Sequence, residues 1–146
     1  MPIEYWLFSQ ISTTGSFHSA ASERPSANPP IVDAPSRHLA SLPSIDVEAL
    51  LPREAGVLAR MFPVLRRVSA IARLSVPRPA SPVELRARAF RGLRALLASL
   101  AATQTIVIVL DDLQWADTDS IALLREILHP PNAPRILFVI TRRSDA

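Results

Sequence analysis

Residues 105–117 read Thr-Ile-Val-Ile-Val-Leu-Asp-Asp-Leu-Gln-Trp-Ala-Asp and decide the fold class. The first six residues are apolar or β-branched and do not alternate with polar ones. That pattern is typical of a strand buried on both faces, as in a parallel sheet. Two carboxylates, Asp111 and Asp112, follow directly. Ligands of open α/β sheets bind at the carboxyl ends of strands, so this junction is the first candidate site.

A second apolar run, Ile136–Ile140, predicts a second strand at about 136–141. Between the two strands, apolar residues at 121, 124, 127 and 128 predict a helix of roughly ten residues. Before the first strand, Ser81 and Pro82 predict a helix start, with Glu84 completing a capping box, and this helix runs to about 102. The order helix, strand, helix, strand predicts an α/β fold with a parallel sheet and a right-handed crossover.

The remaining parts of the chain are less regular. Residues 1–44 hold six prolines and nine serines, and their one apolar cluster is Tyr5-Trp6-Leu7-Phe8. We therefore predict a disordered segment over 1–44, with the cluster as a frayed terminus. Residues 46–80 predict a helical linker that Pro63 interrupts, and residues 81–146 carry the candidate site. The globular domain is thus expected over 45–146.

Composition excludes several kinds of site. The 146 residues contain no cysteine, so disulfides, thiolate zinc sites and cysteine nucleophiles are ruled out. All 16 basic residues are arginine, and there are only three glycines. A phosphate loop of the form GxxxxGK[ST] needs a lysine and closely spaced glycines, so the sequence does not contain one. The three histidines lie far apart and do not form a metal-ligand pattern.

The acidic pair has two interpretations. Asp111 could hold Mg²⁺, a hard cation that prefers oxygen ligands, while Asp112 could orient an attacking water. The other interpretation is an ordinary junction of strand and turn, because aspartate favours turns. The strand and its two carboxylates alone do not distinguish the metal-site interpretation from the strand–turn interpretation.

The residues that follow the pair carry a resemblance to a known family. Asp111-Asp112-Leu113-Gln114-Trp115-Ala116-Asp117, continued by a helix with Ser120 and Leu123-Leu124, resembles the Walker B region of signalling AAA ATPases of the STAND class. Such ATPases occur in bacterial transcriptional regulators and beside kinase or cyclase domains. The resemblance implies a partial P-loop NTPase-like sheet. It also implies ATP and Mg²⁺ as ligands.

The same resemblance assigns four site residues. Asp111 resembles the aspartate associated with Mg²⁺, and Asp112 the catalytic residue that orients water. Thr141 and Arg143, after the second strand, resemble the pair at the sensor-one position that lies near the terminal phosphate. Many AAA ATPases have glutamate at the second acidic position, so the shorter Asp112 implies slow hydrolysis or a nucleotide switch.

Without a phosphate loop, we expect a fragment of an ATPase that is inactive alone and works with a protein partner, either the rest of an ATPase or a paralogue. The alternative is a non-catalytic module that binds an intact ATPase.

Nucleic-acid binding is a weaker alternative. Residues 53–94 hold ten arginines against two acids, but these arginines could instead pair with the acidic 111–126 stretch. Without a membrane span or a secretory signal, we expect a cytoplasmic protein.

Overall fold

A computed structural model describes residues 3–8, 30–75, 81–111 and 113–143. The strands are β1 (Ile3–Phe8), β2 (Thr105–Leu110) and β3 (Ile136–Ile140). The helices are α1 (Pro30–Ser41), α2 (Ser44–Leu50), α3 (Ala55–Met61), α4 (Ser69–Ala72), α5 (Pro82–Thr103) and α6 (Thr118–Leu128), and two 3₁₀ turns cover Pro63–Arg67 and Leu113–Trp115. The order of β2, α6 and β3 confirms the predicted α/β fold.

The sheet has three parallel strands in the order β1-β2-β3. β2 and β3 lie where the sequence predicts them, with Val107 opposite Leu137 and Val109 opposite Val139. β1 pairs with the other edge of β2, with Ile3 opposite Thr105. The prediction of disorder is therefore wrong for Ile3–Phe8. This six-residue strand gains its ladder of hydrogen bonds from a segment about a hundred residues away, which no local pattern reveals.

The prediction of disorder is also wrong for α1. Ile31, Val32 and Leu39 on this helix are fully buried and belong to the same core as the helices that follow. The sequence does not predict this helix because it is rich in prolines and serines. Pro30 is compatible with a helix start, but Pro35 removes one backbone hydrogen bond inside the helix. Tertiary burial of the apolar side chains compensates for that loss. The central part of the predicted disordered segment, residues 9–29, lies outside the described residues.

Within the predicted linker, residues 46–75 form short helices that Pro63 interrupts, and residues 76–80 lie outside the described residues. α3 ends at Met61, and Pro63 begins the 3₁₀ turn that follows, where its missing N–H costs no hydrogen bond. Leu58 and Leu65 are fully buried on either side of this break. The bend thus lets two short segments present their apolar faces to one core.

α5 is the central helix of the domain. Ser81 caps it by accepting a hydrogen bond from the Glu84 N–H at 3.1 Å, as the sequence predicts. Its buried stripe comprises Phe90, Leu93, Leu96, Leu97 and Leu100. Val83, which the periodicity also places on the stripe, is 68% exposed because it lies in the first turn, beyond the packed neighbours.

Both long helices cover the same face of the sheet. α5 leads into β2 and contacts it, α6 leads from β2 into β3, and α5 also packs against α6. The general preference for right-handed crossovers predicts the same arrangement, with both helices on one side of the sheet. That side carries Ile106, Ile108 and Leu110, which are completely buried. On the other side Val107 and Val109 are half-buried, while Leu137 and Val139 are exposed. The prediction that the strands are buried on both faces is therefore wrong.

In the described part of the chain, no helix is both long and apolar enough to cross a membrane.

Candidate functional site

The candidate site lies at the carboxyl ends of β2 and β3, where these strands lie side by side. The Thr141 N–H donates to the Leu110 carbonyl at 2.9 Å, which continues the ladder beyond β3. The Thr141 carbonyl in turn accepts from the Leu113 N–H at 3.0 Å. These two bonds fix the backbone of Thr141 against the turn that follows Asp111.

The side chains of Asp111 and Thr141 meet at this edge. The Thr141 hydroxyl donates a hydrogen bond to Oδ1 of Asp111. The two residues are 30 positions apart in sequence, and both are exposed to solvent. The structure thus brings together the residue predicted to bind the metal and one of the two predicted to lie near the nucleotide.

Arg143 joins the same edge through its backbone. Its N–H donates to Oε1 of Gln114 at 3.2 Å, which ties the segment after β3 to the turn after β2. Sequence reasoning did not assign Gln114 to the site, although it stands within the motif between Asp111 and Asp117. Its position two residues after Asp112 was the available signal. Asp112, the predicted catalytic residue, lies outside the described residues.

The next two acids of the motif have structural partners. Asp117 is the N-cap of α6, and its Oδ1 accepts from the Ser120 N–H at 2.7 Å. Asp119 forms an ion pair with Arg86 of α5, with 2.6 Å between Nη1 and Oδ1. Both carboxylates lie at the amino end of α6, where negative charge is favourable. The structure thus places both carboxylates in contacts that stabilise the start of this helix.

The chemistry of the donors fits a magnesium ion that is bound together with phosphates. Among the described residues, there is no cluster of three or more side chains that could form a protein-only metal site. Mg²⁺ commonly uses one or two carboxylates and takes its other ligands from phosphates and water. Asp111 is exposed, and its carboxylate has acceptor capacity beyond the single bond from Thr141. A site of this composition would need phosphates and water for the rest of its ligands.

Several arginines of residues 53–94 form ion pairs. Arg86 pairs with Asp119, and Arg94 pairs with Glu126 at 3.1 Å, so α5 is tied to the acidic stretch in α6. Three further arginines of the segment contact carboxylates elsewhere, namely Arg67, Arg73 and Arg88. Half of the ten arginines therefore neutralise local acids, which weakens the prediction of a phosphate-binding stripe for nucleic acid.

A cavity among the described residues lies away from this edge. It has a volume of about 520 Å³ and is lined by residues including His38, Leu42, Leu50 and Gln104. Gln104 immediately precedes β2, so the cavity lies at the amino end of that strand. Because parallel sheets bind ligands at the carboxyl ends, Asp111 and Thr141 remain the better candidates.

Among known protein families, the family model described as AAA ATPase domain matches residues 5–140. The match begins within β1, at residue 5, and extends to the last residue of β3. No curated protein and no solved structure matches the chain.

Proposed function

Because this chain belongs to the AAA ATPase domain family, we propose that the edge formed by Asp111 and Thr141 is the Walker B and sensor part of an ATP site. The observation that carries this proposal is the hydrogen bond between these two side chains at neighbouring strand ends. It places a carboxylate suited to Mg²⁺ beside a hydroxyl that can also contact a phosphate oxygen. The sheet would then be part of a P-loop NTPase-like sheet.

Each of the four predicted residues has a role in this proposal. Asp111 would associate with the Mg²⁺ that accompanies ATP, and Asp112 would orient water for attack on the terminal phosphate. Thr141 and Arg143 would contact the nucleotide, with the guanidinium suited to recognising a phosphate. When bound, Mg²⁺ would neutralise phosphate charge. The contribution of Thr141 is to hold the Asp111 carboxylate in place.

The printed sequence has no lysine and no glycine-rich loop, which limits what the chain does alone. Such a loop cradles phosphates with backbone N–H groups and a lysine. We therefore propose a signalling ATPase fragment of the STAND class that binds ATP weakly and is inactive alone. It would reach full function with a protein partner, in the cytoplasm, where bacterial transcriptional regulators of this kind work.

The test is Mg²⁺-dependent binding of a fluorescent ATP analogue to the full chain. We expect weak binding that requires Mg²⁺ and is lost in Asp111→Asn, because the amide keeps the shape of the side chain and removes its charge. Asp119→Asn is the matched control, since its carboxylate pairs with Arg86 and is not part of the site. Equal binding by wild type and Asp111→Asn, or no Mg²⁺-dependent binding by wild type, would contradict a nucleotide role for this chain.

A second candidate function is a non-catalytic regulatory module that binds an intact ATPase. The exposed apolar side chains of β3 favour it, because contiguous apolar surface is typical of interaction sites. Co-sedimentation of the purified chain with a complete ATPase of the same family tests this alternative. Complex formation that persists in Asp111→Asn would separate it from the nucleotide-binding proposal.

A further inference from the structure

Gln114 lies in the short 3₁₀ turn that follows β2, and this turn is anchored on both sides of it. The turn covers Leu113–Trp115. Leu113 and Ala116 pack against the hydrophobic core, and the Ala116 N–H donates to the Leu113 carbonyl at 3.0 Å. Gln114 itself is exposed. Its backbone is therefore held in place, while its side chain lies at the surface beside the carboxyl edge of the sheet.

The Gln114 side chain continues the hydrogen-bond ladder beyond the end of β2. This strand ends at Leu110, whose carbonyl accepts from the Thr141 N–H at 2.9 Å. Backbone groups of alternate residues in a strand point to the same edge, so the Arg143 N–H faces the same side as that of Thr141. There it donates to Oε1 of Gln114 at 3.2 Å. A side-chain amide thus accepts the bond that a strand carbonyl accepts elsewhere in the ladder.

This bond determines the course of the chain beyond β3. The backbone is held at Thr141 by β2 and the turn, and again at Arg143 by Gln114. A chain held at both positions along one edge continues the extended course of the strand, in which alternate side chains lie on one face. The Thr141 hydroxyl donates to Asp111, so this face is the one with the candidate metal ligand. The bond therefore brings Arg143 to the face that carries Asp111.

We propose that Gln114 is a positioning residue for Arg143, and that it thereby sets the preference of the site for a nucleoside triphosphate over a diphosphate. This role rests on the proposed nucleotide site and adds to it a residue that does not itself touch the ligand. A guanidinium recognises phosphate oxygens through donors of fixed geometry, so its contribution depends on where the backbone holds it. ADP lacks the terminal phosphate that Arg143 would contact. Loss of the Gln114 bond should therefore weaken binding of ATP more than binding of ADP.

The alternative is a purely structural role, in which Gln114 stabilises the whole carboxyl edge of the sheet. The two roles differ in which backbone groups depend on the side chain. The Thr141 N–H bonds to a backbone carbonyl of β2, whereas the Arg143 N–H bonds to the Gln114 side chain. Removing the acceptor from residue 114 should release Arg143 alone if Gln114 positions it. A structural role predicts that Thr141 is released as well.

Amide hydrogen exchange of the isotope-labelled full chain, followed by NMR, tests the positioning without a nucleotide. Gln114→Met keeps the length of the side chain and removes the acceptor, so the Arg143 amide should exchange about five-fold faster. Gln114→Glu keeps an oxygen acceptor, and its Arg143 amide should exchange as slowly as that of wild type. The Thr141 amide is the internal control and should exchange at one rate in wild type and both variants.

Competition of ATP and of ADP with the fluorescent ATP analogue, in the presence of Mg²⁺, tests the effect on nucleotide choice. Gln114→Met should lower the preference for ATP over ADP by about five-fold. In an Arg143→Met background the same substitution should have no further effect, because Gln114 acts through Arg143. Arg142→Met is the matched control, since it removes a neighbouring arginine that is not assigned to the site, and it should keep the wild-type preference. Circular dichroism checks that the variants are folded.

The two measurements fail in different ways. An Arg143 amide that exchanges equally fast in wild type and in Gln114→Met would overturn the positioning role, and equal acceleration of the Thr141 amide would assign Gln114 to stability of the sheet edge. A loss of ATP preference that is as large in the Arg143→Met background would show that Gln114 does not act through Arg143. Absence of Mg²⁺-dependent binding by wild type would instead contradict the nucleotide site, and with it the effect on nucleotide choice, whatever the exchange rates.

Discussion

Gly92 shows how a single residue sets the distance between two helices. It lies on α5 where this helix crosses the start of α3, and a Cβ added there would be 2.9 Å from the Glu54 Cβ. The Glu54 atom is next to the backbone and cannot rotate away. The carbonyl of Glu54 and the Leu58 Cβ are at 3.7 Å, which is ordinary contact. The absent side chain therefore permits this close approach.

Gly92→Ala should destabilise the protein by about 1 kcal/mol. Overpacking of a tight contact costs about 1–3 kcal/mol. The higher helix propensity of alanine relative to glycine offsets about 1 kcal/mol of this cost. Urea unfolding followed by circular dichroism measures the difference. In a Glu54→Gly background the contact is gone, so the same substitution should become neutral or stabilising. An identical loss in both backgrounds would show that the contact is not the cause.

At the scale of elements, the two faces of the sheet differ in what covers them. The face with Ile106, Ile108 and Leu110 packs on the long helices, and the face with Val107 and Val139 does not. The sequence predicts the strands correctly but not this difference, because both faces are equally apolar. Which face is covered depends on the direction of the two crossovers.

Substitutions on opposite faces should therefore have unequal effects. Ile108→Ala leaves a cavity in the core and should lower the free energy of unfolding by about 2–5 kcal/mol. Val139→Ala removes a side chain that is 42% exposed and should change it by about 1 kcal/mol or less. Chemical denaturation compares the two. Similar losses for both would mean that the second face is also covered.

At the scale of the whole molecule, β1 joins the beginning of the chain to the candidate site. Its pairing with β2 sets Ile3 opposite Thr105 and Phe8 opposite Leu110. β2 is therefore a central strand, with hydrogen-bonded neighbours on both sides. β1 therefore helps to fix the position of Asp111 at the end of β2, although local sequence patterns predict that β1 is disordered.

The absence of cysteine allows a clean test of this pairing. Tyr5 lies opposite Val107, and neighbouring strands are about 4.8 Å apart, within the range of a disulfide. The double variant Tyr5→Cys with Val107→Cys should form a disulfide under mild oxidation, measured by thiol titration and mass spectrometry. Tyr5→Cys with Leu137→Cys is the control. These two residues lie on β1 and β3, which are separated by β2 and are too distant to crosslink. A control that crosslinks as well as the test pair would contradict the strand order.

The sequence by itself determined β2, β3, α5 and α6, since each has a continuous apolar run or a strong helical stripe bounded by caps or prolines. It also indicated the pairing of Asp111 with the segment around Thr141, because parallel strands end at one edge. Only the tertiary structure decided that Ile3–Phe8 is a strand, that Pro30–Ser41 is a helix and that the sheet face with Leu137 and Val139 is partly exposed. The physical reason is that long-range pairing and burial stabilise these features. Local propensity and periodicity depend only on residues that are close in sequence.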